Sequence, residues 1–569
     1  MRYFLSATII GIFLILGFSA YAATEENFMT DYTIVYDIDD TGVTTVSHKI
    51  VITNLKDDLI ATNYSLDLKQ LDVFDVSASD DKGKLEIFQK KAAGTANLSV
   101  SLRTFAVGTG KQNSVTILYK SKQIATKVGE VWNISIPRSQ PTSETTKTNV
   151  TLSVPASFGQ KIFISPIPAT ESKAGEKISY GFANEQIKNT NITAAFGKYQ
   201  ILNFRLKYQI ENDNRYSSNT EIALPADVPG VQLVEYESLN PRPLKQYTDR
   251  DGNLMAVYKL KAKQKMDIEL VGSAKITGKQ IDPTKGGGFK DIPASVRNVY
   301  TRPLKYWEAN SDDVTKVVAS VINNNSTVTE NAQNIYQYLV NNYSYEFNIA
   351  KKDYVDRKGA AAALFNKSEW GCMEFTDSFI AIARAAGIPA REINGYALTS
   401  IDAQRPLSVT FKSGDLLHAW PEFYDPKFGW VQVDPTWGDT SNTDYFTKLD
   451  TNHLVFVTKG IKSDYPLPAG AYRTASTEKL VDVSFSQTDN TPGFIMELET
   501  KKLTNLNIFQ LLLGHSRFRI KNAGNVIVYD KNNAPILPGA SKTIYISKKQ
   551  NAVTFYNSFR EEKIVSLNL

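Results

Sequence analysis

The sequence predicts a multidomain, β-dominated protein: one or more antiparallel β-sandwich modules at the N-terminus, an α+β domain in the middle and a β-rich module at the C-terminus. Three observations carry this expectation. Short runs alternating apolar and polar residues recur along most of the chain, with little helical periodicity. Helical periodicity appears between Val314 and Gly387, and segments rich in glycine or proline at 283–288 and 465–470 read as linkers on either side. Hydrophobic residues make up 42% of the 569 and charged residues 22%, enough apolar surface for several cores and not the composition of a disordered chain.

Met1-Arg2 gives a short basic start, Phe4 to Phe18 is almost wholly apolar, and Ala20-Tyr21-Ala22 places small residues where a signal peptidase reads. Residues 1–22 therefore read as a secretory signal, cleaved after Ala22. The apolar run is about 15 residues, short against the roughly 20 that a spanning helix needs. The alternative is an uncleaved N-terminal tether.

The first sandwich module is expected over 23–196. Residues 32–38 alternate, Asp39-Asp40-Thr41-Gly42 reads as a turn, and 44–53 alternates again, which is a hairpin pattern. Similar runs recur at 96–102, 114–119, 131–136 and 149–154. A second strand block, 197–282, contains a turn at 249–253; it is either a second sandwich or the end of the first.

The α+β domain is expected over 290–460. Val314, Val317, Val318, Val321 and Ile322 share one face of a helix. Thr327 followed by Glu330 is a capping box, with Ala332, Ile335, Tyr336, Leu339 and Val340 as the apolar stripe behind it. A third helix starts at or just after Cys372, presents Phe375, Ser378, Phe379, Ile382, Ala383 and Ala386 on one face, and ends at Gly387 and Pro389. Strands follow around Phe423 and at 430–433. A final β-rich module is expected over 476–569, with its clearest strands at 518–529 and 542–547.

A net charge of +5, small for this length and interleaved rather than blocked, gives no reason to expect nucleic acid or a membrane surface as partner. The four histidines are scattered and one cysteine cannot build a cysteine cluster, so neither a metal nor another cofactor is expected. The single cysteine, Cys372, has no internal disulfide partner. It is a small buried hydrophobe, a dimer bridge or a reactive thiol.

Its position favours the last. A thiol at a helix N-terminus sits beside unpaired backbone N–H groups and the positive end of the helix dipole, which favour the thiolate and can receive an oxyanion. Downstream lie His418, in Leu417-His418-Ala419-Trp420, and Asp434, in Val433-Asp434-Pro435-Thr436-Trp437. A turn centred on Pro426 sets His418 opposite Asp434 on neighbouring strands, where facing Cβ atoms lie about 4.5–5.5 Å apart. Cys372, His418 and Asp434 are thus the candidate nucleophile, base and orienting acid. His48, His453 and His515 lie outside this pattern and read as incidental. Trp420, Trp430 and Trp437 are either cleft walls or core.

The stretch from Gly371-Cys372 through Gly387-Ile388-Pro389-Ala390-Arg391 to Gly395-Tyr396 resembles the core of the transglutaminase-like superfamily. So does His418-Ala419-Trp420 followed by Gly429-Trp430-Val431-Gln432-Val433-Asp434-Pro435-Thr436. The resemblance covers about 294–460. It implies a papain-like α+β domain with Cys372, His418 and Asp434 as its catalytic residues, His418 and Asp434 being carried on two strands. Relatives complete the oxyanion hole with a side-chain donor upstream of the cysteine. Trp307, Tyr343, Tyr345 and Trp370 are the candidates for that donor here. Glu374 and Asp377, on the first turns of the site helix, either bias a substrate amine or answer the helix dipole.

The expected function is that of an exported cysteine enzyme, secreted or at the cell surface, performing acyl transfer or hydrolysis on peptide or protein amides through a thioester. Its partner is a peptide or protein substrate at the cell surface. The alternatives are a surface binding or scaffold protein with an enzyme-like recognition module, and a peptidase held inactive by a blocking module.

Overall fold

The computed structural model describes residues 27–69, 71–92, 95–103, 105–137, 147–188, 190–349, 356–368, 370–398, 407, 409–410, 416–472, 478–486, 493–504, 515–532, 534–547 and 550–567. The expected signal segment lies outside the described residues. Among the described residues no helix is long and apolar enough to cross a membrane. The protein is mostly β-structure with few helices.

The N-terminal hairpin forms as expected. Phe28–Ile38 pairs antiparallel with Thr44–Asn54, and Asp39 closes the turn by accepting the N–H groups of Thr41 (2.9 Å) and Val43 (3.0 Å). Alternate residues Ile34, Tyr36, Val46 and Ile50 enter a core shared with Ile117 of the same sheet and with Leu98 and Ile134 of two other sheets. The expectation of a purely antiparallel module needs one correction, because Phe28–Ile38 also pairs in parallel with Lys147–Pro155. A parallel pair needs a long crossover rather than a tight turn, and no local pattern announces one.

The second strand block is built on the long antiparallel pair of Gln200–Glu211 and Lys265–Ile276. Its sheet is completed by Gln232–Asn240 on one side and, on the other, by Val481–Phe485, which returns from far along the chain. The sheets beyond that strand have His515–Asn522 between Leu498–Leu503 and Ser541–Ser547.

The helical region follows its local signals closely. Helix α1 (Asp312–Val321) is capped by Ser311, and Ile322 falls outside it in extended conformation. Helix α2 (Val328–Asn342) carries the capping box, with Glu330 N–H on Thr327 Oγ1 at 3.0 Å and Thr327 N–H on Glu330 Oε2 at 2.7 Å. Helix α3 (Ala360–Phe365) precedes α4 (Cys372–Ala385). Gly387 ends α4 at φ +81°, where the Ile388 N–H reaches back to Ala383 O at 2.8 Å. Helix α4 was expected to be amphipathic, yet nearly all of it is buried, including Thr376, Asp377 and Arg384. It is a central helix, covered by other helices on one side and by the sheet on the other.

That sheet places β1 (Ala390–Ala397) between β2 (Leu416–Asp425) and an edge strand, β4 (His453–Lys459), while β3 (Gly429–Gln432) pairs with β2. The segments expected to be linkers are packed. Gly287 N–H donates to Asp425, whose Oδ2 also accepts from Thr329 Oγ1 at 2.7 Å. A Cβ on Gly287 would lie 2.9 Å from Pro426. This glycine permits close approach rather than flexibility. In the 465–470 segment Ala469 is fully buried.

The second strand block is joined to the free edge of β4 by side chains. Gln232 bonds both the N–H (2.8 Å) and the C=O (3.0 Å) of Val455, and Asn253 does the same to Thr458 at 2.7 Å each. Asp251 accepts the N–H groups of Gly460 and Ile461.

Candidate active site

Cys372 is the first residue of α4, with Gly371 as its N-cap. The Gly371 N–H donates to Glu374 at 2.9 Å, so Glu374 closes its own helix end. Asp377, one turn on, accepts from Trp307 Nε1 at 2.8 Å and from the Arg357 guanidinium. Arg357 also pairs with Glu392, which holds Lys459 at 3.1 Å. Two cations and two carboxylates thus balance in one buried network beneath the helix. Both acidic residues of α4 are engaged inside the protein.

Cys372 is 1% exposed and belongs to the same apolar cluster as Leu417, Leu454, Val234 and Leu254. Two of the expected oxyanion donors are occupied. Trp307 Nε1 serves Asp377, and Trp370 Nε1 donates to Ala363 O at 3.2 Å while its ring stacks on Tyr343 at 3.9 Å. The helix start itself supplies N–H groups that have no intrahelical acceptor.

His418 lies on β2, fully buried, with Nε2 2.9 Å from Asp434 Oδ2. Its ring stacks on Trp420 at 5.6 Å and on Trp437 at 5.1 Å. These two tryptophans wall the imidazole, whereas Trp430 carries the Arg391 guanidinium 3.8 Å above its ring. Burial disfavours a charge on His418, but Asp434, and the Cys372 thiol by a smaller amount, more than offset it and push its pKa up to about 9. Nε2 is committed to Asp434, which leaves Nδ1 as the nitrogen for the thiol.

Across the β1–β2 ladder His418 is paired with Gly395. A Cβ there would lie 2.0 Å from Leu454 O and 2.8 Å from Trp420.

Asp434 meets His418 by a route different from the expected one. The hairpin pairs Glu422 with Gln432 and Tyr424 with Trp430, so it is centred on Lys427, not Pro426. Strand β3 stops at Gln432, and Asp434 is instead the N-cap of helix α5 (Pro435–Ser441). Its Oδ1 accepts the Trp437 N–H at 3.1 Å, which turns Oδ2 toward the imidazole. An aspartate followed by proline before a helix is an N-cap pattern, so the signal was present in the sequence. Burial opposes the charge on Asp434, and His418 outweighs it, holding the carboxyl down at about 2.

The sequence reading missed His453. It begins β4, is 1% exposed, and sets Nε2 3.4 Å from Asp434 Oδ2 and Nδ1 2.7 Å from Asp450 Oδ1. The histidines are therefore not all scattered, since the His418 and His453 rings are 5.8 Å apart. One atom each from His418, Asp434 and His453 lie within 4.8 Å of one another. The 2.9 and 3.4 Å separations describe a carboxylate shared by hydrogen bonds. His48 and His515 lie elsewhere: His48 in the N-terminal core, with burial pushing its pKa down to about 4, and His515 on a C-terminal strand.

Residues 315–435 match the family model of the transglutaminase-like superfamily. An uncharacterized Bacillus subtilis protein, YebA, is 32% identical over 120 residues, which is 21% of this chain and 15% of that protein. A protein-glutamine gamma-glutamyltransferase of Pseudomonas aeruginosa is 32% identical over 74 residues, 13% of this chain and 11% of that one. The chain therefore spans a small part of the curated relatives it matches. A solved structure of a candidate cysteine protease from Cytophaga hutchinsonii is 17% identical, covering 51% of this chain and 99% of that chain at a TM-score of 0.31. Within this β-rich protein, residues 315–435 form a transglutaminase-like domain.

Proposed function

We propose that the protein is an exported cysteine enzyme that performs acyl transfer or hydrolysis on peptide or protein amides. The Cys372 thiolate attacks the amide carbonyl carbon, the C–N bond breaks, and the leaving amine takes a proton from the His418 imidazolium. A second amine, or water, then attacks the thioester and restores the thiolate, its proton returning through His418. Asp434 holds the ring and favours its charged form. The observation that supports this reading is the buried His418–Asp434 contact at 2.9 Å in a domain whose single thiol opens a helix. Export rests on the basic, apolar and small-residue pattern of residues 1–22.

Amine and glutamine-peptide probes test it on the full chain. Amine incorporation that vanishes in Cys372→Ala supports transfer, and ammonia release alone supports hydrolysis. Equal signals from wild type and Cys372→Ala would remove the enzyme reading.

The burial of the thiol favours a second reading, a non-catalytic recognition module. Iodoacetamide separates the two: a recognition module shows slow alkylation with no pH transition below about 8.

A further inference from the structure

We propose that His453 is a positioning residue of this site, an imidazolium clamped between Asp450 and Asp434 that shares the Asp434 carboxylate with His418. The inference rests on the proposed role of His418 as the base.

Both ring nitrogens of His453 face carboxylate oxygens, Nδ1 at 2.7 Å from Asp450 and Nε2 at 3.4 Å from Asp434. An ionised carboxylate only accepts hydrogen bonds, so each nitrogen carries a proton and the ring is charged. The clamp is fixed from outside. Asp450 Oδ1 also takes the Asn452 N–H at 2.9 Å and its Oδ2 lies 3.2 Å from the Tyr445 hydroxyl. The ring is enclosed by Trp420 at 4.9 Å, Trp437 at 4.6 Å and Tyr445 at 6.3 Å.

The titratable groups that face it are Asp450, Asp434 and His418, and the Lys448 ammonium lies over the neighbouring Tyr445 ring at 4.6 Å. Its pKa agrees with the geometry, since burial lowers it and the two carboxylates outweigh burial, raising it to about 9.

The consequence falls on His418. Without a charge on His453, two buried carboxylates would act on one imidazole and hold its proton harder. With it, a single net negative charge faces His418, enough to orient the ring and weak enough for the proton to pass to a leaving amine. Asp434 is held as well, with Oδ1 on the α5 N-terminus and Oδ2 between two rings.

The test measures two things on the full chain. Hydrogen–deuterium exchange at the histidine C2 position, read peptide by peptide by mass spectrometry on the wild type, reports the charge state of His453 without any substitution. A midpoint for His453 above about pH 8 supports the clamp, and one at or below the ordinary value of about 6.5 overturns it. The pH profile of Cys372 alkylation by iodoacetamide then reports on His418. His453→Gln should move the alkaline limb, where the imidazolium is lost, upward by about half a pH unit or more, and Asp450→Asn should move it downward. Unmoved limbs, or shifts in the same direction, overturn the proposal. If the wild-type profile is unchanged by His418→Ala, the base assignment itself fails, and the C2 exchange still decides the charge on His453.

Discussion

The side chain of Gln232 binds both backbone groups of Val455, donating to its carbonyl at 3.0 Å and accepting its N–H at 2.8 Å. One amide thus replaces a neighbouring strand at the edge of the sheet that carries His453. Gln232→Ala would leave the N–H and C=O of Val455 buried without partners, and each such group costs about 1–3 kcal/mol. The variant is expected to lose roughly 2–5 kcal/mol, read as a lower urea midpoint, and Asn253→Ala should behave alike. A change below about 0.5 kcal/mol would show that water reaches this edge.

Cutting the chain at 286–288 should not release an active domain. The cut removes Gln232, Asp251 and Asn253 from β4 and uncovers the apolar cluster that contains Cys372. A fragment starting at Phe289 is expected to be aggregated or to lack a cooperative unfolding transition, measured by light scattering and calorimetry. A well-folded fragment more reactive than the full chain would instead support a removable blocking module.

The His418–Asp434 pair sets a pH window for stability. The His418 pKa is raised from 6.5 to about 9, so its contribution is complete below about 6.5 and is lost as pH rises through about 9. Asp434 is lowered from 3.8 to about 2, so its contribution is present above about 3.8 and is lost as pH falls toward 2. Asp434→Asn removes the carboxylate shared by the buried imidazoles of His418 and His453 and is expected to cost about 3–5 kcal/mol near pH 5, shrinking toward pH 9 and above. Denaturation curves across that range check it, and a deficit independent of pH would assign the loss to the helix cap alone.

Gly395→Ala is expected to separate β1 from β4, because its Cβ would sit 2.0 Å from Leu454 O, a backbone atom that cannot rotate away. The cost should be roughly 1–3 kcal/mol or more, with loss of whatever activity Cys372 carries. Thermal unfolding of the soluble variant reads the first, and the amine probe the second. A variant with unchanged melting would mean that the ladder shifts without penalty.

What the sequence by itself determined lies at short separation along the chain. The Thr327–Glu330 box, the stop at Gly387, the start of a helix at Cys372 and the turn after Asp39 are each set by residues within about five positions of one another, where one side chain and one backbone group settle the geometry. The pairing of His418 with Asp434 was expected from the sequence, but through a strand register that the hairpin does not adopt; the contact arises because Asp434 caps α5 beyond the end of β3.

Tertiary structure alone decided the rest. His453 reaches Asp434 only because β4 pairs with the far side of β1, and Phe28–Ile38 meets Lys147–Pro155 only through a long crossover. Gly286 and Gly287 looked like slack until Asp425, Thr329 and Pro426 closed on them. Backbone hydrogen bonds between distant strands depend on which edges remain open once the other layers have packed, and no local run of residues specifies that. The helix carrying Cys372 shows the same limit. Its apolar face was readable, but its burial on every side follows from the sheet and helices that enclose it.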